Sequence, residues 1–396
     1  MLRLFCLAGL VVLIALNASA QSAKELAKAQ ELLKTGNELL QQGDASQAVA
    51  KFNEVAVLLP TSPVAYINRG LAFAALGKYV EALADADKAL SLVQPDRYAA
   101  RFSSLANQVK ARVYQDQQDY ELAIKFYSKA IDIDSSNPVF YISRGVVFLI
   151  LKQHDKAIND FSKTIELNPK LTQPYVNRAV AYRALKNCDA AIRDTMEAIR
   201  LSPSDIAPYL NRANCYLDLK KYDEAIEDLT YAISIEPKAD LFYNRARAHS
   251  DRGDFATSIS DNTEAINRDP KHEKAYYNRG ISYQRTKQYG LAIADLRKAL
   301  SFNEDSPSRR YNLAIVLYEA RQYSEAIKEA TILISNFPEW RAPVALRSNA
   351  YGLIGESMKM KADAIRADKL DATWKPKEEG FFILNLTYFS TKEEDL

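Results

Sequence analysis

The sequence predicts an all-α array of about ten helical hairpins, and three observations carry that expectation. Proline recurs at a 34-residue interval: Pro169, Pro203 and Pro237 are spaced by 34, Pro270 follows after 33, Pro338 lies two periods further on, and Pro60 stands upstream. Small residues recur at fixed places inside each period. Only 12 of 396 residues are glycine and 14 proline, with 48% hydrophobic and 26% charged, a mixture that favours helix in a folded chain.

Taken in order, residues 1–20 read as an export signal. Arg3 supplies the positive charge, Leu4 to Leu16 an apolar run too short to span a bilayer, and Ala18-Ser19-Ala20 a small-residue cleavage site. The mature chain is expected to begin near Gln21, in the periplasm or outside the cell, with no transmembrane segment. The array follows over residues 21–372. Counting Pro169 as position 32, units start near Ala29, Pro63, Ser104, Pro138, Thr172, Ile206, Ala239, Glu273, Pro307 and Arg341. Seven extra residues between the second and third units, Pro95 to Arg101, are expected to lengthen the first helix of the third hairpin. Residues 373–396 form a non-repeat tail whose Phe381 to Phe389 is apolar and β-prone; exposed, it is an aggregation hazard.

The internal pattern explains the period. Position 8 is small (Gly70, Gly145, Ala179, Ala213, Ala246, Gly280, Ala314), as is position 20 (Ala82, Ala123, Ala157, Ala191, Ala225, Ala292, Ala326), which lets two antiparallel helices approach closely. Large residues fill position 11 (Phe73, Tyr114, Phe148, Tyr182, Tyr216, Tyr283) and position 17. The second helix is apolar at 20, 21, 24, 27 and 28, one inward stripe, and the proline at 32 stops it.

With Ala275-Tyr-Tyr-Asn-Arg-Gly280 and Tyr222-Asp-Glu-Ala-Ile-Glu-Asp228, the chain resembles the tetratricopeptide repeats over roughly residues 29–340, with a worn unit to about Leu370. The resemblance implies a right-handed α-solenoid whose first helices line a concave groove that binds an extended peptide or partner helix. Position 4 is never tryptophan, and the tenth unit has Ser357 and Met360 at positions 17 and 20, as expected of a capping unit.

Two polar features recur. Arginine at position 7 faces aspartate at position 23: Arg69 with Asp85, Arg144 with Asp160, Arg178 with Asp194, Arg212 with Asp228, Arg245 with Asp261, Arg279 with Asp295. The spacing of 16 sets them level across a hairpin, so a charge-assisted pair is expected, with grip on an acidic partner as the alternative. Asparagine occupies position 6 in Asn68, Asn177, Asn211, Asn244, Asn278 and Asn312. An amide both donates and accepts, so the row suits a peptide backbone and is similar to the asparagine ladder of some tetratricopeptide proteins; bracing of neighbouring helices is the other reading. Tyr243, Tyr277, Tyr311 and Tyr318, with Val146, Leu149, Val180 and Ile281, are expected to floor the groove.

Catalytic and metal sets are missing. The three histidines, His154, His249 and His272, lack metal-ligand spacing, and there is no CxxC pair and no glycine-rich phosphate loop, so neither an enzyme nor a cofactor is expected. A net charge of +2 leaves no footprint for nucleic acid. Cys188 and Cys215 fall in neighbouring hairpins, and in an oxidising compartment a disulfide between them is an open alternative to two buried thiols. The expected function is an exported adaptor holding a protein or peptide partner in its groove; the alternative is a self-associating structural scaffold of the cell envelope.

Overall fold

A computed structural model describes residues 23–373 and Pro376. Among them are twenty α-helices and no strand, and the helices alternate as first (A) and second (B) members of ten hairpins. The first five hairpins are α1 (Ala23–Gln41) with α2 (Ala45–Leu58), α3 (Pro63–Ala75) with α4 (Tyr79–Leu92), α5 (Ala99–Asp116) with α6 (Tyr120–Ile133), α7 (Pro138–Ile150) with α8 (His154–Leu167), and α9 (Thr172–Ala184) with α10 (Cys188–Leu201). The sixth is α11 (Ile206–Asp218) with α12 (Tyr222–Ile235). Then come α13 (Ala239–Arg252) with α14 (Phe255–Arg268), α15 (Glu273–Arg285) with α16 (Tyr289–Phe302), α17 (Pro307–Glu319) with α18 (Tyr323–Asn336), and α19 (Arg341–Leu353) with α20 (Ser357–Asp368). Eight A helices begin on the residue that opens the sequence unit. The other two start earlier: α1 at Ala23, and α5 at Ala99, inside the stretch that follows Pro95. The export signal, residues 1–20, and the apolar run 381–389 lie outside the described residues.

The chain divides into two compact units, Met1–Asn211 and Arg212–Leu396, with the boundary inside α11. In the first, a core cluster runs from Ala29 to Tyr141. In the second, the largest cluster runs from Tyr277 to Leu346.

Each hairpin turns the same way. Position 15 is left-handed in all ten, through Gly43, Gly77, Gly253 and Gly355 and through the non-glycines Gln118, Lys152, Lys186, Lys220, Lys287 and Arg321. The amide of position 16 then reaches back to the carbonyl of position 11, as from Gln153 to Phe148 at 2.8 Å, the bond that closes a helix C-terminus with a left-handed residue. Asp44, Asp119, Asn187 and Asp254 at position 16 cap the following B helix by accepting from the backbone three residues on.

Packing inside a hairpin is a hole at position 8 against a knob at position 24. A Cβ added to Gly145 would lie 2.7 Å from the Phe161 ring, and one added to Gly280 3.0 Å from Leu296. Hairpins are joined stiffly. The position-4 hydroxyls of Tyr66, Tyr175 and Tyr209 donate to the carbonyls of Pro60, Pro169 and Pro203 at 3.0, 3.3 and 3.2 Å, and in the ninth hairpin Arg310 does the same to Glu304 at 2.8 Å. Tyrosine thus holds the linker at the position where the sequence lacks the family's tryptophan. The tenth unit, worn in sequence, is a complete hairpin.

Candidate functional site

At roughly 100° per residue, positions 9 and 13 of an A helix stand about 100–140° away from position 8, which faces the B helix. In most hairpins they are the side chains an A helix turns outward, with Val146 and Ile315 at position 9 buried, and the two units differ there. In the first unit these residues are Leu71 and Ala75 on α3, Arg112 and Asp116 on α5, Val146 and Ile150 on α7, of which Val146 is buried, and Val180 and Ala184 on α9. Ile150 is 40% and Val180 41% exposed. Arg112 and Asp116 neutralise each other at 2.8 Å. In the second unit the same positions hold Asn214 and Asp218, Arg247 and Asp251, Ile281 and Arg285, Ile315 and Glu319, and Asn349 and Leu353, with Ile315 buried and Leu353 exposed. Burial pushes the Asp251 carboxyl up against the opposing pull of Arg247. The first face is apolar, the second mixed in charge.

The arginine–aspartate pairs are bidentate. Arg69, Arg144, Arg178, Arg212, Arg245 and Arg279 each donate through Nε and Nη2 to both carboxylate oxygens of Asp85, Asp160, Asp194, Asp228, Asp261 and Asp295, at 2.6–2.9 Å. A seventh pair, Arg347 with Asp363, sits in the tenth hairpin at 2.7 and 2.8 Å. The 16-residue spacing was present there, hidden by the loss of positions 17 and 20. Sequence reasoning also missed the far side of the ladder. The remaining nitrogen, Nη1, reaches position 25 of the preceding hairpin: Asn53, Ser128, Ser162, Thr230, Thr263 and Thr331 accept from Arg69, Arg144, Arg178, Arg245, Arg279 and Arg347 at 2.8–3.1 Å. Six of the seven guanidinium groups are thus spent on their own hairpin and the one before, and are not held out to an acidic partner; before Arg212, position 25 is Met196. Where the third hairpin has Phe126 for the aspartate, Lys110 keeps the backward half through Asp87 and lies over the Phe126 ring, 5.5 Å from its centre.

The asparagine row is largely turned inward. Asn68 donates to the Val64 carbonyl at 3.0 Å, and Asn177 accepts from Gln173 at 2.9 Å, both within their own helix. Asn278 pairs with the Tyr243 hydroxyl of the preceding A helix, and Asn312 with that of Tyr277. Asn211 and Asn244 are half-buried. The tyrosines divide the same way. Tyr277 and Tyr311 are 3% exposed, so they do not floor a groove; Tyr311 packs on Trp340, and burial raises its phenol. The cause is angular. Position 5 stands about 60° from position 8, turned toward the neighbouring hairpin and not outward. Tyr243 and Tyr318 keep partial exposure.

The remaining candidates are structural. His249 is buried beside Asp254 and Asp261. His272 caps α15 by accepting from the Ala275 amide at 3.1 Å, with its other ring nitrogen 3.1 Å from Asp240. Cys188 and Cys215 both carry buried thiols, so the disulfide considered from their sequence positions is not formed. Cys215 fills position 10, where other hairpins bury Ala72, Val113, Val147 or Ala181. Among the described residues no group of three or more histidines, cysteines or acids is placed to hold a metal ion, and no helix is long and apolar enough to cross a membrane.

Ten hairpins built on small residues at 8 and 20 define a tetratricopeptide-repeat protein, and the family profile described as tetratricopeptide repeat matches residues 273–306. A second profile, described as ETO1 C-terminal domain, matches residues 7–286, more than half of the chain, and the chain belongs to that family. Small glutamine-rich tetratricopeptide repeat-containing protein 2 of Mycosarcoma maydis is 30% identical over 118 residues, covering 30% of this chain and 32% of that protein. The Hsp70-Hsp90 organizing protein of Triticum aestivum is 32% identical over 109 residues, covering 28% of this chain and 18% of that one. The chain therefore spans about a third or less of the length of these relatives. The C-terminal part of a tetratricopeptide repeat-containing protein from Cytophaga hutchinsonii superposes with a TM-score of 0.48 at 20% identity, covering 62% of this chain and 98% of that one.

Proposed function

We propose that the chain is an exported protein-interaction scaffold, and that an apolar-faced helix or extended peptide of a partner lies on the outward A-helix face of the first unit. One observation carries the choice of face: Ile150 and Val180 stand about 40% exposed on consecutive A helices, with Ala75 and Ala184 at the outward position of α3 and α9 and with Arg112 and Asp116 of α5 paired to each other. Such a surface gains by covering aliphatic area and repels a strongly charged ligand. Relatives named for tetratricopeptide repeats and for organizing Hsp70 and Hsp90 support a scaffold role in general. Export rests on the Leu4–Leu16 run and Ala18-Ser19-Ala20.

The test is cross-linking in the native compartment, comparing the parent with Ile150→Glu/Val180→Glu. Both positions are exposed, so the variant is expected to stay folded and to lose the captured partner at least tenfold. An equal yield from both proteins refutes the face. N-terminal sequencing of the native protein reads the export claim separately: it is expected to start at Gln21, and a chain retaining Met1 contradicts export.

A further inference from the structure

The tenth hairpin presents an outer face unlike the others. In hairpins two to nine, positions 21 and 28 of the B helix are leucine or isoleucine. The following hairpin covers them: Ile124 packs with Val146 and Phe148, Ile266 with Ala275, and Ile334 with Val344. On α20 the same positions are Lys361 and Asp368, both exposed. Another hairpin docked there, from a second copy for instance, would strand those charges. The apolar residues of α20 stand elsewhere. Met358 and Ile365, 88% and 58% exposed, lie seven residues apart on one strip, turned by about 60° from the row of 21 and 28. Leu353 and Ile354, also exposed, end α19 and lead into Met358 through the turn at Gly355. Among the described residues no other hairpin exposes four large apolar side chains.

The chain carries a matching segment a short way on. Phe381 to Phe389 is apolar except for Asn385 and Thr387, and in an extended segment Phe382, Leu384, Leu386 and Tyr388 share one face. Phe381 lies eleven residues beyond Leu370, a reach of up to about 36 Å, whereas α20 is about 18 Å long. The run can therefore return along α20 from Ile365 to Met358, and its nine residues, about 30 Å when extended, are long enough to meet Leu353 and Ile354 as well. In that direction the acids Glu393, Glu394 and Asp395 follow toward the start of α20, where Lys359 and the helix N-terminus favour negative charge.

We infer that residues 381–389 fold back on the outer face of α20 and cap the array, each surface covering the other. The cap stands where an eleventh hairpin would, and it takes from water both the Met358–Ile365 strip and a run that is an aggregation hazard when exposed. Neither the first-unit face nor export enters this inference.

Peroxide oxidation of methionine in the full chain, read residue by residue by mass spectrometry, tests it. Met196 on α10, 55% exposed, is the internal reference. Oxidation follows exposure, so an uncovered Met358 reacts at least as fast as Met196, and a covered one about fivefold slower. The cap predicts the slow rate, unchanged by dilution. Phe382→Ser/Leu384→Ser/Leu386→Ser is expected to bring Met358 up to the rate of Met196. Ile365→Glu, which alters the other side of the contact and leaves the run intact, is expected to do the same. A parent in which Met358 keeps pace with Met196 overturns the cap. So does a slow rate that neither variant raises, and so does protection that fades on dilution, which assigns the covering run to a second copy.

Discussion

Arg144 closes a two-pronged pair with Asp160, at 2.7 and 2.9 Å, and spends its third nitrogen on Ser128 of the preceding hairpin at 2.9 Å. The two partners lie 16 residues away on opposite sides, so one guanidinium fixes both the closure of its hairpin and the docking of the one before. Burial pushes the Asp160 carboxyl up, while the hydrogen bond from Arg144 pulls it down and raises the guanidinium. The arginine is what makes a charge tolerable at that depth.

Removing Arg144 therefore costs more than removing Ser128. Arg144→Ala is expected to destabilise the first unit by about 2–3 kcal/mol, the range for hydrogen bonds to a charged group, and Ser128→Ala by about 0.5–1 kcal/mol. Arg144→Ala/Asp160→Ala should cost less than the sum of the single changes, because no buried charge is stranded. Urea unfolding of the parent, Arg144→Ala, Asp160→Ala and the double variant reads the cycle, with Ser128→Ala measured beside them. Additive losses would make the pair ornamental.

The turns carry strain that glycine would relieve. Lys152, Lys186, Lys220 and Lys287 hold φ between 56° and 63°, where hairpins one, two, seven and ten use glycine. A side chain in this region costs about 1–2 kcal/mol, partly offset by glycine's greater freedom when unfolded and by the favourable charge at a helix C-terminus. Each Lys→Gly change is expected to stabilise by about 0.5–1 kcal/mol, and Gly77→Ala to destabilise by about 1 kcal/mol. Thermal melting of the single variants decides it, and a lowered melting temperature in the lysine series would assign the lysines a stabilising role beyond the turn.

How much of this was legible follows from where each signal sits. Proline at a helix start and small residues at 8 and 20 are local and periodic, so the hairpin boundaries at Pro63, Pro138, Thr172 and Pro307 could be placed without coordinates. The Arg144–Asp160 spacing lies within one period and repeats, so it was visible too. The link to Ser128 crosses a period, and its partner varies among serine, threonine and asparagine, so no residue type announces it. Tyr277 and Tyr311 were misplaced because position 5 lies between the inward and outward faces, and only the neighbouring hairpin decides which way it is covered. The polar pair Ser258 and Asn262 looked like ordinary drift within a repeat until burial showed that both lie in the core.

Hole and knob must change together. Gly145→Ala puts a methyl 2.7 Å from the Phe161 ring and is expected to cost about 1–3 kcal/mol by overpacking. Adding Phe161→Leu should recover most of it, because the sixth hairpin already combines Ala213 with Leu229, both buried. Calorimetry on the single and double variants checks the rescue. A double variant less stable than Gly145→Ala alone would mean that the ring, not the hole, governs this interface.

His249 gives the second unit a dependence on pH. Burial lowers its pKa below the usual 6.5; Asp261 and Asp254 pull it up, and Arg252 and Arg245 add to the lowering. The folded state thus prefers the neutral ring. Its contribution is complete above the unfolded value near 6.5 and is lost as pH falls from there through the lowered folded value. His249→Phe, which restores the aromatic of position 11, should remove this part. Melting temperatures at pH 7.5 and 5.5 are expected to differ more for the parent than for the variant, and equal differences would show that carboxylates alone set the response.

Asparagine at position 6 is best tested where its partner is a tyrosine, because the two readings of the row then give opposite results. If the amide exists to hold a peptide, Asn278→Ala lowers partner affinity and leaves stability unchanged. If it exists to hold Tyr243, the change leaves that hydroxyl unpaired in a half-buried place and costs about 1–2 kcal/mol, with no effect on a partner seated on the first unit. The bracing reading adds a condition that the binding reading cannot meet. Tyr243→Phe in the Asn278→Ala background should restore most of the lost stability, since removing both members leaves neither group in want of the other. Denaturant titration of the two single variants and the double, with partner capture measured alongside, separates the readings, and a double variant no more stable than Asn278→Ala would return the amide row to the binding surface.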